Sequence, residues 1–561
     1  MKISDKKHVQ QLASLLLSNG IEDIVISPGS RNGPLIHTFA GNALFNCRNI
    51  VDERSAAYFA LGLAQNQRKP VALLCSSGTA TLNYAPAVAE AFYRNIPLIV
   101  LTADRPDYWI DQQENQCIQQ QGIYANFTKK EISLPLGETE NELWLAAREI
   151  NECLNLAVSG TPAPVHINIP LEEPLHNLLE QELPDVKNIG QAITDSKLTD
   201  AEIANLAETF NNASKILILA GQQNPDPNLE KHLVECIKNT SAVVVKEHLS
   251  NLNSPLFCSN IDALLASDLN NAPQEFCPDL LITFGGHFVS KSIKQFLRKH
   301  KPAEHWHLSS SGEHFDTYQS LTKVIPLNAS NFFAEMAAKT TTKNTRYFQR
   351  WKKQEEQVVT LRNQFVSTLP WCDFKVFDRL MNAIPENSVL HLGNSSPVRY
   401  ALIFDAIKEV QYYGNRGTSG IDGSLSTAVG FASASEKLNT VVIGDLSFFY
   451  DSNALWNNYI GKNLRVIVIN NRGGNIFSLI QGPADSPAFQ QHFFAENNAK
   501  AKGIAQTFGL DYLKAENMEE LQNRLKSFYS AERQSPALLE IFTDAEVNAK
   551  AFQQFFKFVK Q

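Results

Sequence analysis

A glutamate near the start of the chain and an Asp/Asn pair near its end are the residues best placed to do chemistry. Glu53 stands in Val51-Asp52-Glu53-Arg54-Ser55-Ala56-Ala57, at the head of a run of small apolar residues. Asp445 follows Val441-Val442-Ile443-Gly444, and Asn471 follows Val466-Ile467-Val468-Ile469-Asn470. An Asp and an Asn at the ends of two such runs can hold a hard divalent cation. Mg²⁺ takes an octahedron of oxygens and usually keeps some from phosphate and water. Asp445, Asn471 and one backbone carbonyl, Gly473 by position, supply half of that set. Gly473 and Gly474 let the backbone approach a phosphate closely. A helix starting near Asp451 is expected to aim its N-terminus at the same anion. Singly, Asp445 and Asn471 read as ordinary turn residues; the pairing favours a metal–diphosphate site.

Short β-branched runs alternate with helical patterns, which predicts parallel α/β units. The runs fall at 23–27, 71–75, 98–101 and 164–169, then at 215–219, 243–245, 280–284 and 323–327, then at 389–392, 441–443, 466–469 and 538–542. A Pro- and acid-rich stretch from Leu171 to about Thr194 reads as a linker. A polar helical stretch near 339–361 leads into the last block, and no short-period repeat is visible. The expectation is three parallel-sheet α/β domains, at 1–185, 186–355 and 356–561. Ligands of such sheets gather at the carboxyl ends of the strands. The loops there read Ser27-Pro28-Gly29-Ser30-Arg31, Ser76-Ser77-Gly78-Thr79, Thr102-Ala103-Asp104-Arg105-Pro106, Gly393-Asn394-Ser395-Ser396, Gly444-Asp445-Leu446-Ser447 and Asn470–Gly474. All six are rich in Gly, Ser or charge.

Bulk composition narrows the classes. Hydrophobic content of 43% and charged content of 19% are those of a globular protein. A net charge of −8 argues against a nucleic-acid partner. The eight cysteines are scattered without a Cys-x-x-Cys pair, which reads as reduced thiols in the cytoplasm; Cys75 reads as buried filler. No signal peptide and no membrane span are expected.

Five runs carry a resemblance across nearly the whole chain: Ile26–Arg31, Asp52–Ala56, Thr102–Pro106, Asn415-Arg416-Gly417-Thr418-Ser419-Gly420-Ile421-Asp422-Gly423 and Asn470–Leu479. Together they closely resemble the MenD family, the 2-succinyl-5-enolpyruvyl-6-hydroxy-3-cyclohexene-1-carboxylate (SEPHCHC) synthases of menaquinone biosynthesis. The resemblance implies a fold of the thiamine diphosphate (ThDP) dependent decarboxylase/carboligase type, with pyrimidine-binding, central and diphosphate-binding domains in that order. It implies decarboxylation of 2-oxoglutarate and 1,4-addition of the resulting succinyl-semialdehyde carbanion to isochorismate. ThDP carries the hard chemistry, with Mg²⁺ (or Mn²⁺) as its anchor. By matched position Glu53 would hydrogen-bond the pyrimidine, and Ile421 would prop the bent cofactor. Asp445, Asn471 and the Gly473 carbonyl would hold the metal. Gly78, Leu446, Ser447, Gly474 and Ile476 complete the implied cofactor set. Glu53 at the head of an apolar helix is expected to be partly buried, which raises a carboxyl pKa. That helix, too apolar to face water, is expected to pack on another chain. The minimal unit is then a homodimer, or a homotetramer, with sites at the subunit interface.

Both substrates are dicarboxylates, so the site should present several cations, with Arg preferred for planar contacts. The substrate set is Ser30, Arg31, Arg105, Asn115, Gln116, Lys291, Ser395, Arg399, Arg416, Phe477 and Leu479. Within it, Arg31, Gln116, Ser395, Arg399 and Arg416 join Glu53 as catalytic candidates. A helix would put Ser395 and Arg399 on one face. Gly444-Asp445-Leu446 replaces the Gly-Asp-Gly of many ThDP enzymes, which favours MenD over a general decarboxylase. Arg472 either reaches a phosphate or points away. Residues 481–498 are expected to form a lid. Phe552, Phe555, Phe556 and Val559 make one face of a helix that docks on its own domain or a partner subunit; membrane contact is not expected. The alternatives are another ThDP 2-oxoacid decarboxylase or carboligase, and a non-catalytic metabolite-binding α/β protein.

Overall fold

The computed structural model describes residues 1–192, 197–240, 242–267, 272–341, 345–479 and 485–560. Its frame is three all-parallel sheets with helices between their strands. The first sheet orders its strands Asn46–Asn49, Asp23–Ile26, Val71–Cys75, Leu98–Asp104, Val165–Pro170 and Glu131–Ser133. The third orders them Gln411–Tyr413, Val389–Leu392, Asn439–Gly444, Leu464–Asn470, Ala537–Phe542 and Asp511–Ala515. Counted along the chain, both sheets run 2-1-3-4-6-5. The middle sheet has five strands, Val243–Lys246, Ile216–Ala220, Leu280–Phe284, Glu304–Leu308 and Lys323–Ile325. Central strands such as Val71–Cys75 and Leu464–Asn470 are buried at every residue. That is why they read as unbroken apolar runs: helices cover both faces.

The expected fold class holds, with corrections at the edges. The strands Asn46–Asn49, Glu131–Ser133, Gln411–Tyr413 and Asp511–Ala515 escaped the sequence reading, as did Glu304–Leu308. All but the last flank a single neighbour or end a sheet, so polar residues interrupt their pattern; Glu304–Leu308 alternates two histidines with apolar residues. The stretch taken as a linker is docked over much of its described length. Leu178–Glu180 pairs antiparallel with Lys2–Ser4, and Asp5 N–H donates to Asn177 O at 3.2 Å. The residues from 193 to 196 lie outside the described part. The polar helix runs Arg346–Thr368, later than expected, after another helix ending at Lys339.

The largest correction concerns the helix behind Glu53. Glu53–Gln67 is buried from Ser55 to Gln65 within one chain. Its cover is the Ser424–Ala432 helix of the third domain, itself fully buried. The two backbones cross at glycines. A Cβ added at Gly62 would stand 2.0 Å from Thr427 O, and one at Gly430 would stand 2.1 Å from Phe59 O. Small residues at the crossing let two apolar helices close with no partner subunit between them. Among the described residues no helix is long and apolar enough to cross a membrane.

Candidate active site

In a doubly wound sheet the binding crevice opens where successive connections leave in opposite directions. In the third sheet that point lies between Val389–Leu392 and Asn439–Gly444. A pocket sits there, and its walls include Asn394, Ser395, Ile421, Asp445, Leu446 and Ser447 on one side. Asn471, Gly473, Gly474, Ile476 and Phe477 close the other side.

Asp445 is the first residue of a short helix, Asp445–Tyr450, and is 2% exposed. Its Oδ1 accepts from Leu446 N–H at 2.8 Å, while Oδ2 is buried with no hydrogen-bond partner among the described residues. Burial, aided by the nearby Asp373 charge, pushes its carboxyl up to about 7. A buried carboxylate oxygen without a partner, opening on a pocket beside Asn471, is what a cation would satisfy. The expected helix at Asp451 is not the one that faces the pocket. Asp451 is fully buried, and its carboxylate accepts Ser426 N–H at 2.8 Å and Ser426 Oγ–H at 2.7 Å. It closes the start of the Ser424–Ala432 helix instead.

Asn471 is buried, and its Nδ2 donates to Asp373 Oδ2 at 3.1 Å. Gly473 lies so close to the chain at Phe494 that a Cβ there would meet Phe494 O at 2.5 Å. Only glycine allows that approach. Arg472 is exposed between them and lines a different cleft, so it points away from this pocket. Ser447 Oγ donates to Ile421 O at 2.7 Å, which ties the Ile421 loop to the Asp445 helix. Ser395 has φ 75° and ψ −126°, a conformation rare for anything but glycine. It caps the Ser396–Ala401 helix that carries Arg399.

The cations of this half sit just beyond. Arg416 is buried and donates from Nη1 to Asn394 Oδ1 at 2.8 Å. Burial, then the like charge of Arg399, pulls its pKa below the usual value. Lys291 and Arg399 line one cleft together with Ile476 and Leu479. Lys291 opens the Lys291–Lys299 helix, whose entry is fixed by Glu247. That buried carboxylate accepts Val289 N–H at 2.7 Å and Ser290 N–H at 2.8 Å. Burial lifts Glu247 to about 7.

The remaining expected residues form a second group at the ends of the first sheet. Gly78 caps the Thr79–Tyr93 helix, and a Cβ on it would stand 3.0 Å from the Gln116 backbone. Arg105 Nε donates to Asn115 O at 2.9 Å, and Arg105 pairs with Glu114 at 3.3 Å. Arg31 is buried next to Ser30 and donates from Nη1 to Leu171 O at 3.1 Å. Burial first, then the Arg105 charge, depresses its pKa. Glu53 is half-buried, and its charge reaches the buried Cys75 thiol and Tyr84 phenol, adding to the burial that raises both. None of Ser30, Arg31, Glu53, Gly78, Arg105, Asn115 and Gln116 lines the Asp445 pocket or the Lys291 cleft. Within one chain the expected residues therefore fall into two separate groups.

Asp373, Asn394 and Glu247 were missed by the sequence reading. Asp373 is the first residue of an amphipathic helix, Asp373–Met381, and carried no motif. Asn394 lies inside a marked loop. Glu247 follows Val243–Lys246 and had no motif. Of residues 481–498, those at 481–484 lie outside the described part, and Phe494 is buried against Gly473. The C-terminal aromatic face docks within the chain: Phe555 is fully buried against Phe365 and Phe374.

Three family models match in sequence order. "Thiamine pyrophosphate enzyme, N-terminal TPP binding domain" covers residues 6–123. "Middle domain of thiamine pyrophosphate" covers 192–392, and "Thiamine pyrophosphate enzyme, C-terminal TPP binding domain" covers 393–541. Fold and matches together define a thiamine diphosphate enzyme. The chain is 40% identical to a 2-succinyl-5-enolpyruvyl-6-hydroxy-3-cyclohexene-1-carboxylate synthase of Bacteroides thetaiotaomicron over the full length of both. It is 40% identical to that of Flavobacterium johnsoniae over 98% of each chain, and 38% identical to that of Porphyromonas gingivalis over 99% of this chain and 98% of the other. This chain belongs to that synthase family, MenD.

Proposed function

We propose that the chain catalyses the family's reaction, decarboxylating 2-oxoglutarate on ThDP and joining the four-carbon unit to isochorismate, on the way to menaquinone. The observation that carries this reading is the buried, unpartnered Asp445 Oδ2 beside Asn471 at the switch point of the third sheet. The donor set is all oxygen: Asp445, Asn471 and the Gly473 carbonyl. That suits Mg²⁺, or Mn²⁺, better than a soft metal. The cation would hold the cofactor's diphosphate between the Asp445 helix and the glycine loop, with Ile421 and Ile476 against its body. When bound, ThDP supplies a stabilised carbanion equivalent, which side chains cannot.

The chain's own residues bind and orient. Arg31 and Arg105 in one half, and Lys291, Arg399 and Arg416 in the other, present fixed cations for the carboxylates of two dianionic substrates. Desolvated guanidinium groups hold such anions more strongly than exposed ones. Ser30, Asn115, Gln116 and Ser395 offer neutral hydrogen bonds, and Phe477 and Leu479 an apolar wall that keeps water out. Glu53 would hold a proton at the cofactor's pyrimidine. It stands in the half-site away from Asp445, so the working unit is a homodimer, or a tetramer built from it, with Glu53 of one copy meeting Asp445 of another. Eight free thiols suit a reducing cytoplasm.

The test is CO₂ release from 2-oxoglutarate with ThDP and Mg²⁺, with and without isochorismate, in the wild type and in Glu53→Gln. Turnover that needs isochorismate and collapses in the variant is expected. Turnover indifferent to isochorismate, or faster on pyruvate, would leave a decarboxylase. No turnover in any form would leave a binding protein.

A further inference from the structure

Asp373 is buried with no exposed surface, and its carboxylate is held by neutral side chains. Its Oδ2 accepts from Asn471 Nδ2 at 3.1 Å, and its Oδ1 accepts from Thr543 Oγ at 2.6 Å. Its own N–H donates to Asn548 Oδ1 at 2.8 Å, and Asn548 Nδ2 donates to Thr543 Oγ at 3.1 Å. Asn548 is fully buried in the C-terminal helix. Four side chains from four elements thus form one closed network behind the pocket.

A side-chain amide has one donor end and one acceptor end. A carboxylate can only accept, so it selects the donor end of whatever amide faces it. With Nδ2 turned back to Asp373, the Asn471 carbonyl oxygen is turned the other way, and Asn471 lines the pocket beside Asp445. Without Asp373 the two orientations of the amide would be close in energy, and one of them would aim a donor at a cation. We infer that Asp373 is a positioning residue that holds Asn471 Oδ1 toward the metal, with Thr543 and Asn548 fixing Asp373 in turn. The inference rests on reading Asn471 as a metal ligand. Outer-shell partners of this kind commonly change metal affinity 10–100-fold on mutation.

The test is Mn²⁺ binding to the full-length protein in the presence of ThDP, followed by electron paramagnetic resonance, with turnover against Mg²⁺ concentration as a second readout. Asp373→Ala is expected to weaken Mn²⁺ binding about 10–100-fold. Excess Mg²⁺ should restore its maximal rate, because the ligand is misoriented and not removed. Asp373→Asn keeps an acceptor for Asn471 Nδ2 and is expected to bind Mn²⁺ within about threefold of wild type. In an Asn471→Ala background, Asp373→Ala should add no further loss. If Asp373→Ala does not fold, Thr543→Val reads the same network through a smaller loss that also vanishes in the Asn471→Ala background. Wild-type Mn²⁺ binding by Asp373→Ala overturns the proposal. So does an Asp373→Asn loss as large as that of Asp373→Ala, which would mean that charge, not orientation, matters. Additive losses with Asn471→Ala overturn it too. If Asn471→Ala alone binds Mn²⁺ normally, the metal reading itself fails first.

Discussion

Glu90 of the first domain accepts from the backbone N–H of Gly417, at 2.8 Å, inside the loop that carries Arg416. The same carboxylate accepts Thr418 N–H at 2.6 Å and Thr418 Oγ–H at 2.8 Å. Glu90 has no exposed surface, so a single buried group holds a third-domain loop against a first-domain helix. Hydrogen bonds to a charged group contribute roughly 1.5–3 kcal/mol each, and stranding them costs more than their net worth. Glu90→Ala is expected to lower stability by about 3 kcal/mol in urea unfolding. It should also raise KM for the 2-oxoacid, because Arg416 rides on the released loop. Unchanged KM in a destabilised variant would separate the loop from substrate binding.

Gly62→Ala tests the helix crossing. The added methyl has nowhere to go, since Thr427 O would lie at 2.0 Å and the opposing atoms are backbone. Overpacking of this kind costs roughly 1–3 kcal/mol, and here neither helix can move without opening the core between the first and third domains. A lower unfolding midpoint at unchanged m-value is the expected result. A neutral substitution would show that the two helices slide apart freely.

The metal site proposed at Asp445 should be visible in stability before any assay of turnover. Ligand bound only by the folded state stabilises it by about 2.7 kcal/mol at one hundred times its dissociation constant. ThDP with Mg²⁺ should therefore raise Tm in the wild type, and chelation should reverse the rise. Asp445→Asn removes the orphaned carboxylate charge and should lose most of that shift while keeping the Tm of the ligand-free protein. A full shift in Asp445→Asn would move the metal elsewhere.

His391 gives a pH dependence with a definite sign. It is buried, bonds Asn439 Oδ1 at 3.1 Å and packs against both Tyr413 and Phe431. Burial lowers its pKa to about 4 from 6.5. Below pH 6.5 the unfolded chain takes up a proton that the folded one refuses. Stability attributable to this group is therefore complete above 6.5 and is lost as pH falls toward 4. The full effect is about 3 kcal/mol. In His391→Gln the decline of Tm between pH 6.5 and 4.5 should be shallower than in the wild type, and parallel curves would rule His391 out as a contributor.

The central strands were legible because burial on both faces leaves an apolar run that little else produces, as at Val71–Cys75 and Leu464–Asn470. Edge strands such as Glu131–Ser133 were not, since half their hydrogen bonds and one flank face other things. Asp445 and Asn471 stood out in the sequence because a polar residue at the end of such a run is a local pattern, and the structure places both on one pocket. Asp373 was not. Its role depends on touching Asn471, which is far away in sequence, and nothing in its neighbours records that contact.

The sequence by itself determined the three-domain α/β class, the loops that end the strands, and the residue types that suit a diphosphate, a hard cation and two dicarboxylates. Those properties are local: periodicity along a strand, a turn residue, a charge. Only the tertiary structure decided what faces what. It showed that the apolar helix behind Glu53 is covered by its own chain through Gly62 and Gly430, and that the helix facing the Asn471 pocket begins at Asp445 and not at Asp451. It also showed that Glu53 lies outside the pocket that Asp445 lines. Each of these is a contact between distant segments, set by how whole sheets and helices close on one another, and sequence spacing does not encode that closure.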